Sequence, residues 1–300
     1  MAQYDIVIVG GGMAGLSAAL YGGWLGRKVL LAERQMFGGQ IVNADRIENY
    51  PGFPDGILGA DLVAQVRTQA MKFGAEMQYL EITSMEKHAQ GFRLHSAEDS
   101  CEAVSVIVAT GGTHRRLEVK GELELEGRGV SGCATCDGAF FADKPVAVIG
   151  GGDTALDEAL YLAGITSKVT IVHEGRLPVA SAALVQRAKE NEKIAWLAEA
   201  SVTEILGNDA VESLRLSDGS NLSAAGVFIA IGFEPETSLL NGLVDLDPSG
   251  HVPVDLQMQT AISGLFAVGS ARQGSSGQLA SIAGDGATAA VSCHSYILAK

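Results

Sequence analysis

The sequence predicts an α/β protein built from two strand–turn–helix units of one kind, and three observations carry that prediction. An apolar run closes on glycines twice, as Asp5-Ile-Val-Ile-Val-Gly-Gly-Gly-Met-Ala-Gly15 and as Val146-Ala-Val-Ile-Gly-Gly-Gly-Asp-Thr-Ala155. Each run opens into residues at helical spacing, Leu16–Leu25 and Leu156–Leu162. Each is then followed by a second apolar strand, Lys28–Ala32 and Lys168–Val172. The offset of 140 residues between Gly10 and Gly150 is too long for a stacked repeat and suits two separate units.

The rest of the chain fits around these units. Asp61–Phe73 has the pattern of an amphipathic helix, and Gln278–Ile297 that of an Ala-rich one. Arg93–His95, Val104–Val108, Ser213–Leu216, Val227–Ile231 and Gly264–Val268 are expected as strands. Crossings between domains are expected in Gly112–Arg116 and Leu240–Asp247. Phe37, Tyr50 and Phe53 are expected to pack, and Met71, Met77 and Met85 to fill core. The acid run Glu122–Glu126 is expected to be a solvated turn.

A chain of 300 residues is long enough for two cores, and its 38 glycines gather at strand-to-helix turns. The net charge of −14 argues against a phosphate-backbone binder, which needs Lys and Arg to neutralise phosphates, so no nucleic-acid partner is expected. The start, Met1-Ala-Gln-Tyr-Asp5, lacks the basic region of an export signal. No stretch approaches the roughly 20 apolar residues of a membrane helix, so no membrane partner is expected either. Four cysteines without an export signal point to a reducing cytoplasm rather than a disulfide framework.

Gly10-x-Gly12-x-x-Gly15 stands between strand and helix, with Glu33 following 23 positions past Gly10. That is the set of parts for a dinucleotide: a tight turn, a backbone open to pyrophosphate, a close helix, and a carboxylate for ribose hydroxyls. The second copy keeps Gly150-x-Gly152-x-x-Ala155, with Asp153 and Thr154 opening its helix. The same count from Gly150 reaches His173, followed by Glu174 and Gly175 rather than by the arginines that grip a 2′-phosphate. Arg176 is the nearest cation in sequence. A ligand-free glycine turn is the alternative for the first copy, and a degenerate site for the second.

Cys133-Ala134-Thr135-Cys136 is the chemical centre. Two thiols three residues apart can close and reopen a disulfide, and Asp137 is near enough in sequence to move protons. A zinc site would need a second close pair of ligands, which Cys101, Cys293, His294 and His114 do not form, so no metal is expected. Cys101 and Cys293 are expected to be plain residues, and the adjacency of His294 to Cys293 a coincidence.

Together these motifs resemble the low-molecular-weight thioredoxin reductases. Asp5–Gly15, Gly38-Gly39-Gln40-Ile41, Ile47–Gly52, Ala109-Thr110-Gly111, Cys133–Gly138 and Gly150–Ala155 fall in that family's order. The resemblance implies two Rossmann-like dinucleotide-binding domains. One is a discontinuous FAD domain, 1–113 with 244–300, and the other a pyridine-nucleotide domain, 114–243, carrying the cysteines. It implies FAD contacts from Gly10, Gly12, Gly15, Glu33, Gly39, Gln40, Asn49, Thr110, Gly111, Gly269, Ser270, Gln278 and Leu279. It implies nicotinamide contacts from Gly150, Gly152, Asp153, Thr154, His173 and Glu174. Cys136 would face the flavin, Cys133 would attack the protein disulfide, and Asp137 would serve as acid/base. A cytoplasmic homodimer and a thioredoxin-like partner are further implications.

Three departures stand out. The family's His-Arg-Arg-x-x-x-Arg segment is here His173-Glu174-Gly175 with Val179 in the last place, its Gly-Asp is Gly269-Ser270, and its Arg-Gln is Gly277-Gln278. The donor could therefore be NADH or NADPH, with NADH favoured by Glu174. Two other readings stay open at this point: a relative fed by ferredoxin or flavin, or oxidising dithiols with oxygen, and a flavin-bound redox sensor.

Overall fold

The computed structural model describes residues 2–44 and 46–300. Two compact units emerge, Met1–Thr113 with Glu234–Lys300, and His114–Phe233. The return crossing precedes the 240–247 segment expected from sequence. Leu240 is fully buried, and Leu239, Leu243 and Val244 pack on the core of the first unit.

The first unit runs β1 (Ala2–Val9), α1 (Met13–Trp24), β2 (Val29–Glu33), α2 (Gly59–Lys72) and β3 (Glu76–Tyr79). It continues through β4 (Ser84–His88), β5 (Gly91–His95), β6 (Ser100–Val108) and β7 (Gly112–His114). After the second unit the chain returns as β16 (Phe233–Pro235), β17 (Leu265–Ala267) and α6 (Leu279–Leu298). Strands β3, β2, β1 and β6 are parallel neighbours in that order. β6 is long enough to take two further partners: β5 antiparallel at Ser100–Ala103 and β17 parallel at Val106–Val108. Ile6, Val7 and Ile8 are fully buried, as a strand covered on both faces must be. Helices α1 and α6 meet through small residues; a Cβ at Gly286 would overlap the Ala14 carbonyl.

The second unit runs β8 (Val130–Ser131), α3 (Ala134–Asp137), β9 (Pro145–Ile149), α4 (Asp153–Ala163), β10 (Lys168–His173), α5 (Ala182–Glu190) and β11 (Ile194–Ala198). An antiparallel sheet of β12 (Val202–Leu206), β13 (Ser213–Leu216) and β14 (Asn221–Ser223) precedes β15 (Gly226–Ile229). The main sheet, β11-β10-β9-β15-β8, is parallel throughout. In each unit the chain order reverses beside the first strand, at β1/β6 and at β9/β15. Ligands of such sheets bind outside the carboxyl ends of the strands at that reversal.

Two expectations from composition are corrected. Met71 is exposed, whereas Met85 is buried and Met77 packs on the core. Glu122 is buried rather than solvated: its carboxylate accepts from Leu117 N at 3.1 Å and Glu118 N at 2.7 Å, closing a turn. Phe37 is buried, with Tyr50 and Phe53 against the same core. Among the described residues no helix is long and apolar enough to cross a membrane.

Candidate active site

The glycine turn of the first unit is built by close approach. Gly10 has φ of +106°, and a Cβ there would overlap the Ala109 carbonyl, so β1 and β6 end side by side. A Cβ at Gly15 would overlap Gly10 O, which seats α1 hard on the turn. Around Gly12, the N-cap of α1, around Gly111, and on the outward side of Gly39, a Cβ would meet nothing closer than 3.4 Å. Tight backing with an open front is the shape a pyrophosphate needs.

Glu33 ends β2 and holds the rim. Its Oε2 accepts from Gly11 N at 2.6 Å, and its Oε1 from Gln35 N at 2.8 Å and Met36 N at 3.3 Å. Gln40 Nε2 donates to Gly112 O at 2.9 Å, and Thr110 Oγ1 donates to Glu236 O. Asn49 Nδ2 donates to Gln278 Oε1 at 3.2 Å, joining the loop before α2 to the residue capping α6, which Leu279 begins. Behind Gly269 and Ser270 lies an ion pair that the sequence did not single out. Buried Asp285 accepts from Gly269 N at 3.1 Å, from Arg272 Nε at 2.7 Å and from Arg272 Nη2 at 2.9 Å. Open cradle, carboxylate and capped helix fit an FAD.

The second turn repeats the backing. Gly150 has φ of +141°, a Cβ there would overlap the Ala230 carbonyl, and Gly152 caps α4, where a Cβ would meet only the Val179 carbonyl, at 4.0 Å. Asp153 Oδ1 accepts from Ser181 N at 2.6 Å, fixing the loop ahead of α5, and Thr154 is exposed. His173 takes the place of Glu33, but it is buried, edge-on to Trp196 and against Gly151. Beyond it Glu174, Gly175 and Arg176 are exposed, and Val179, 90% exposed, bridges back to Gly152. The site fits a nicotinamide dinucleotide, with a carboxylate rather than a cation at its ribose end.

Cys133 and Cys136 form a disulfide, with Cα atoms 5.3 Å apart. Cys133 caps α3, and its Sγ accepts from Cys136 N at 3.2 Å. Cys133 is half-buried and Cys136 exposed. Ser131 links the pair to the acid: its hydroxyl accepts from Cys133 N at 3.0 Å and donates to Asp137 Oδ2 at 2.6 Å. The His114 ring lies against Gly132, and burial pushes its pKa down, keeping it neutral beside the dithiol. Beneath α3, on α4, lies Glu158, a half-buried acid missed in sequence; nothing local distinguishes it from exposed Asp157. Ser131 was missed for the same reason.

The free cysteines stand apart from this centre. Cys101 and Cys293 are both buried, and Cys293 Sγ accepts from Ser105 Oγ at 3.1 Å. His294 Nδ1 accepts from Arg27 Nε at 3.0 Å, tying α6 to the end of α1, so its place is structural. Among the described residues no group of three or more metal-ligating side chains comes together.

Comparison with known proteins agrees with this construction. The family model for pyridine nucleotide-disulphide oxidoreductase matches residues 4–287. A thioredoxin reductase of Treponema pallidum is 40% identical over 98% of this chain and 97% of its own. Two solved structures superpose closely. Thioredoxin reductase of Lactococcus lactis in its FR conformation has a TM-score of 0.96, with 38% identity over 99% of this chain and 100% of its own. That of T. acidophilum has a TM-score of 0.93, with 36% identity over 98% and 99%. With two dinucleotide turns and a closed Cys133–Cys136 pair in the second unit, the chain belongs to the pyridine nucleotide-disulphide oxidoreductases, among the thioredoxin reductases.

Proposed function

We propose that this FAD-dependent thioredoxin reductase takes its electrons from NADH in preference to NADPH and works as a cytoplasmic homodimer. Its substrate is a thioredoxin-like protein disulfide, reached through Cys133 and Cys136. The observation that carries the reading is the Cys133–Cys136 disulfide on the turn capped by Cys133, with Asp137 held by Ser131. Bound FAD would accept hydride from the nucleotide and supply the electron pair that opens this disulfide.

Each group then has a task. Gly10, Gly12 and Gly15 would bring α1 to the FAD pyrophosphate, and Glu33 would accept from ribose hydroxyls with lone pairs its three amide contacts leave free. Gly39, Gln40, Asn49, Thr110, Gly111, Gly269, Ser270, Gln278 and Leu279 would line the remainder. Gly150, Gly152, Asp153, Thr154 and His173 would hold the nicotinamide dinucleotide. Exposed Glu174 would accept from an unmodified ribose and oppose a 2′-phosphate.

Once reduced, Cys133 attacks the partner's disulfide: a new S–S bond forms and one partner sulfur leaves as thiolate. Cys136 then attacks Cys133, re-forming the pair and releasing the second partner sulfur. Asp137 gives a proton to the first leaving sulfur, takes one from the Cys136 thiol as that sulfur attacks, and passes it to the second; solvent restores its proton afterwards.

Rapid mixing of oxidised protein with each nucleotide tests the donor. Flavin bleaching by NADH at lower concentration than by NADPH is the expected result; bleaching by neither excludes a nicotinamide donor. Cys133→Ser should keep that bleaching and lose thioredoxin reduction by about a thousandfold or more, since a nucleophile is removed.

A further inference from the structure

The residue beneath the dithiol has a role that the two nucleotide turns do not explain. Glu158 lies on α4, and α4 packs against α3. Its Oε1 accepts from Ala134 N, the first peptide group after Cys133, at the long distance of 3.5 Å. Its Oε2 is buried and has no hydrogen-bond partner among the described residues. A buried carboxylate oxygen without a donor is costly when charged and tolerable when protonated.

We propose that Glu158 is a positioning residue for the Cys133–Cys136 pair, a buried carboxyl whose charge sets how much thiolate the reduced pair carries near neutral pH. When the disulfide opens, two electrons and one proton give one thiol and one thiolate. The new negative charge favours the neutral form of Glu158, which takes up a second proton from solvent. Closing the disulfide removes the charge and the proton returns. No electron passes through Glu158, and its effect on chemistry is exerted through the sulfurs.

The surroundings leave this coupling little competition. α3 packs on α4 through the buried Ala134, and its ionisable groups are Cys136 and Asp137, with Cys133 at its cap; β10 carries His173; α5 presents the apolar Leu184, Val185 and Ala188. On α4 itself Asp153 is engaged by Ser181 N, Tyr161 packs on the core, and Asp157 is the neighbouring charge. Burial first, and then Asp157, push the Glu158 carboxyl up to about 7, while the contact with Ala134 N opposes them. The group therefore changes charge near neutral pH.

The proposal rests on the thioredoxin reductase reading only in that this pair must open. Its test needs neither nucleotide nor thioredoxin. The FAD-loaded protein, Glu158→Gln and Glu158→Asp are reduced with dithiothreitol, desalted, and alkylated with iodoacetamide across the neutral range. Besides that of the thiol itself, the wild-type rate should show a second inflection at or above the value of about 7 that Glu158 has beside the closed disulfide. E158Q should lose it and react about tenfold faster just above neutrality, the consequence of removing one nearby like charge. E158D should keep it. As a check that does not depend on a variant, infrared difference spectra of the wild-type protein, reduced minus oxidised, should gain a protonated-carboxyl band. An E158Q profile that superposes on wild type, or a carboxyl region unchanged by reduction, overturns the proposal. Failure of both nucleotides to bleach the flavin would sink the donor assignment and leave this profile as it is.

Discussion

At an offset of 140 residues the two units can be compared position by position: Gly15 matches Ala155, Ala18 matches Glu158, and Glu33 matches His173. The turns are alike in backbone, with a positive-φ glycine pressed on the neighbouring strand in both. They differ in what lies behind the helix. The fully buried Ala18 of α1 belongs to an apolar core with Ala289 and Ala290 of α6. Glu158 of α4 lies under the short turn that carries the disulfide. They also differ at the rim, where Glu33 closes its loop through three amides and His173 turns inward. A shared scaffold is thus specialised by single side chains: one copy closed into a rigid cradle, the other fitted with a dithiol and an acid.

Exchanging the third small residue should break the symmetry most sharply. In Gly15→Ala the new Cβ overlaps Gly10 O, a backbone atom that cannot yield without opening the turn. Loss of bound flavin and destabilisation by about 1–3 kcal/mol are expected, the range for an overpacked core. Ala155→Gly, at the matching place, should keep flavin and cost about 1–2 kcal/mol through a lost methyl and helix propensity. Flavin absorbance of the purified variants and their urea melts measure both.

The second contrast is between Ala18 and Glu158, and its readout is stability against pH. The folded pKa of Glu158 is raised from 4.5 to about 7, so the native state holds a proton that the unfolded chain releases. Stability from this group is complete below pH 4.5, falls as pH rises, and is fully lost above about 7. The loss is on the order of 3 kcal/mol at the top of that window. Glu158→Gln should flatten that segment of the curve and be the more stable protein above pH 7. Denaturant melts of oxidised protein across this window check it, and parallel wild-type and E158Q curves would refute it.

What the sequence disclosed follows the same division between local and distant causes. Gly10, Gly12, Gly15 and Glu33 lie in one strand–turn–helix–strand stretch, so spacing alone brought them together. Cys133 and Cys136 are three residues apart and needed no tertiary information. Glu158 and Asp157 are indistinguishable in sequence; only the packing of α3 on α4 half-buries one, covering its Oε2, and leaves the other exposed. The Asp285–Arg272 pair behind Gly269 and the closing of a turn by Glu122 depend likewise on contacts that periodicity does not encode. The crossing lies near Glu234 rather than in Leu240–Asp247 because that segment reads as a linker until the core that Leu240, Leu243 and Val244 join is known.

The rim difference gives the finest test. Where Glu33 is locked by three amides, Glu174 is exposed and precedes a loop whose Val179 bridges to Gly152. On the proposed reading a 2′-phosphate brought to this rim would meet a carboxylate at 174 and an apolar, exposed side chain at 179, with Arg176 the one cation between them. Glu174→Arg replaces a repulsion with a charge-assisted contact, without disturbing any buried atom. The ratio of kcat/KM for NADPH to that for NADH should rise about tenfold, or by about 1.4 kcal/mol, with the change in KM rather than kcat because the 2′-phosphate is remote from the reacting atoms. Adding Val179→Arg should raise the ratio further. Flavin content and the Cys133-dependent reduction of thioredoxin should stay as they are, since neither position belongs to the first unit's glycine turn or to the dithiol turn. A ratio unmoved by both changes would place nucleotide choice elsewhere than at the end of β10.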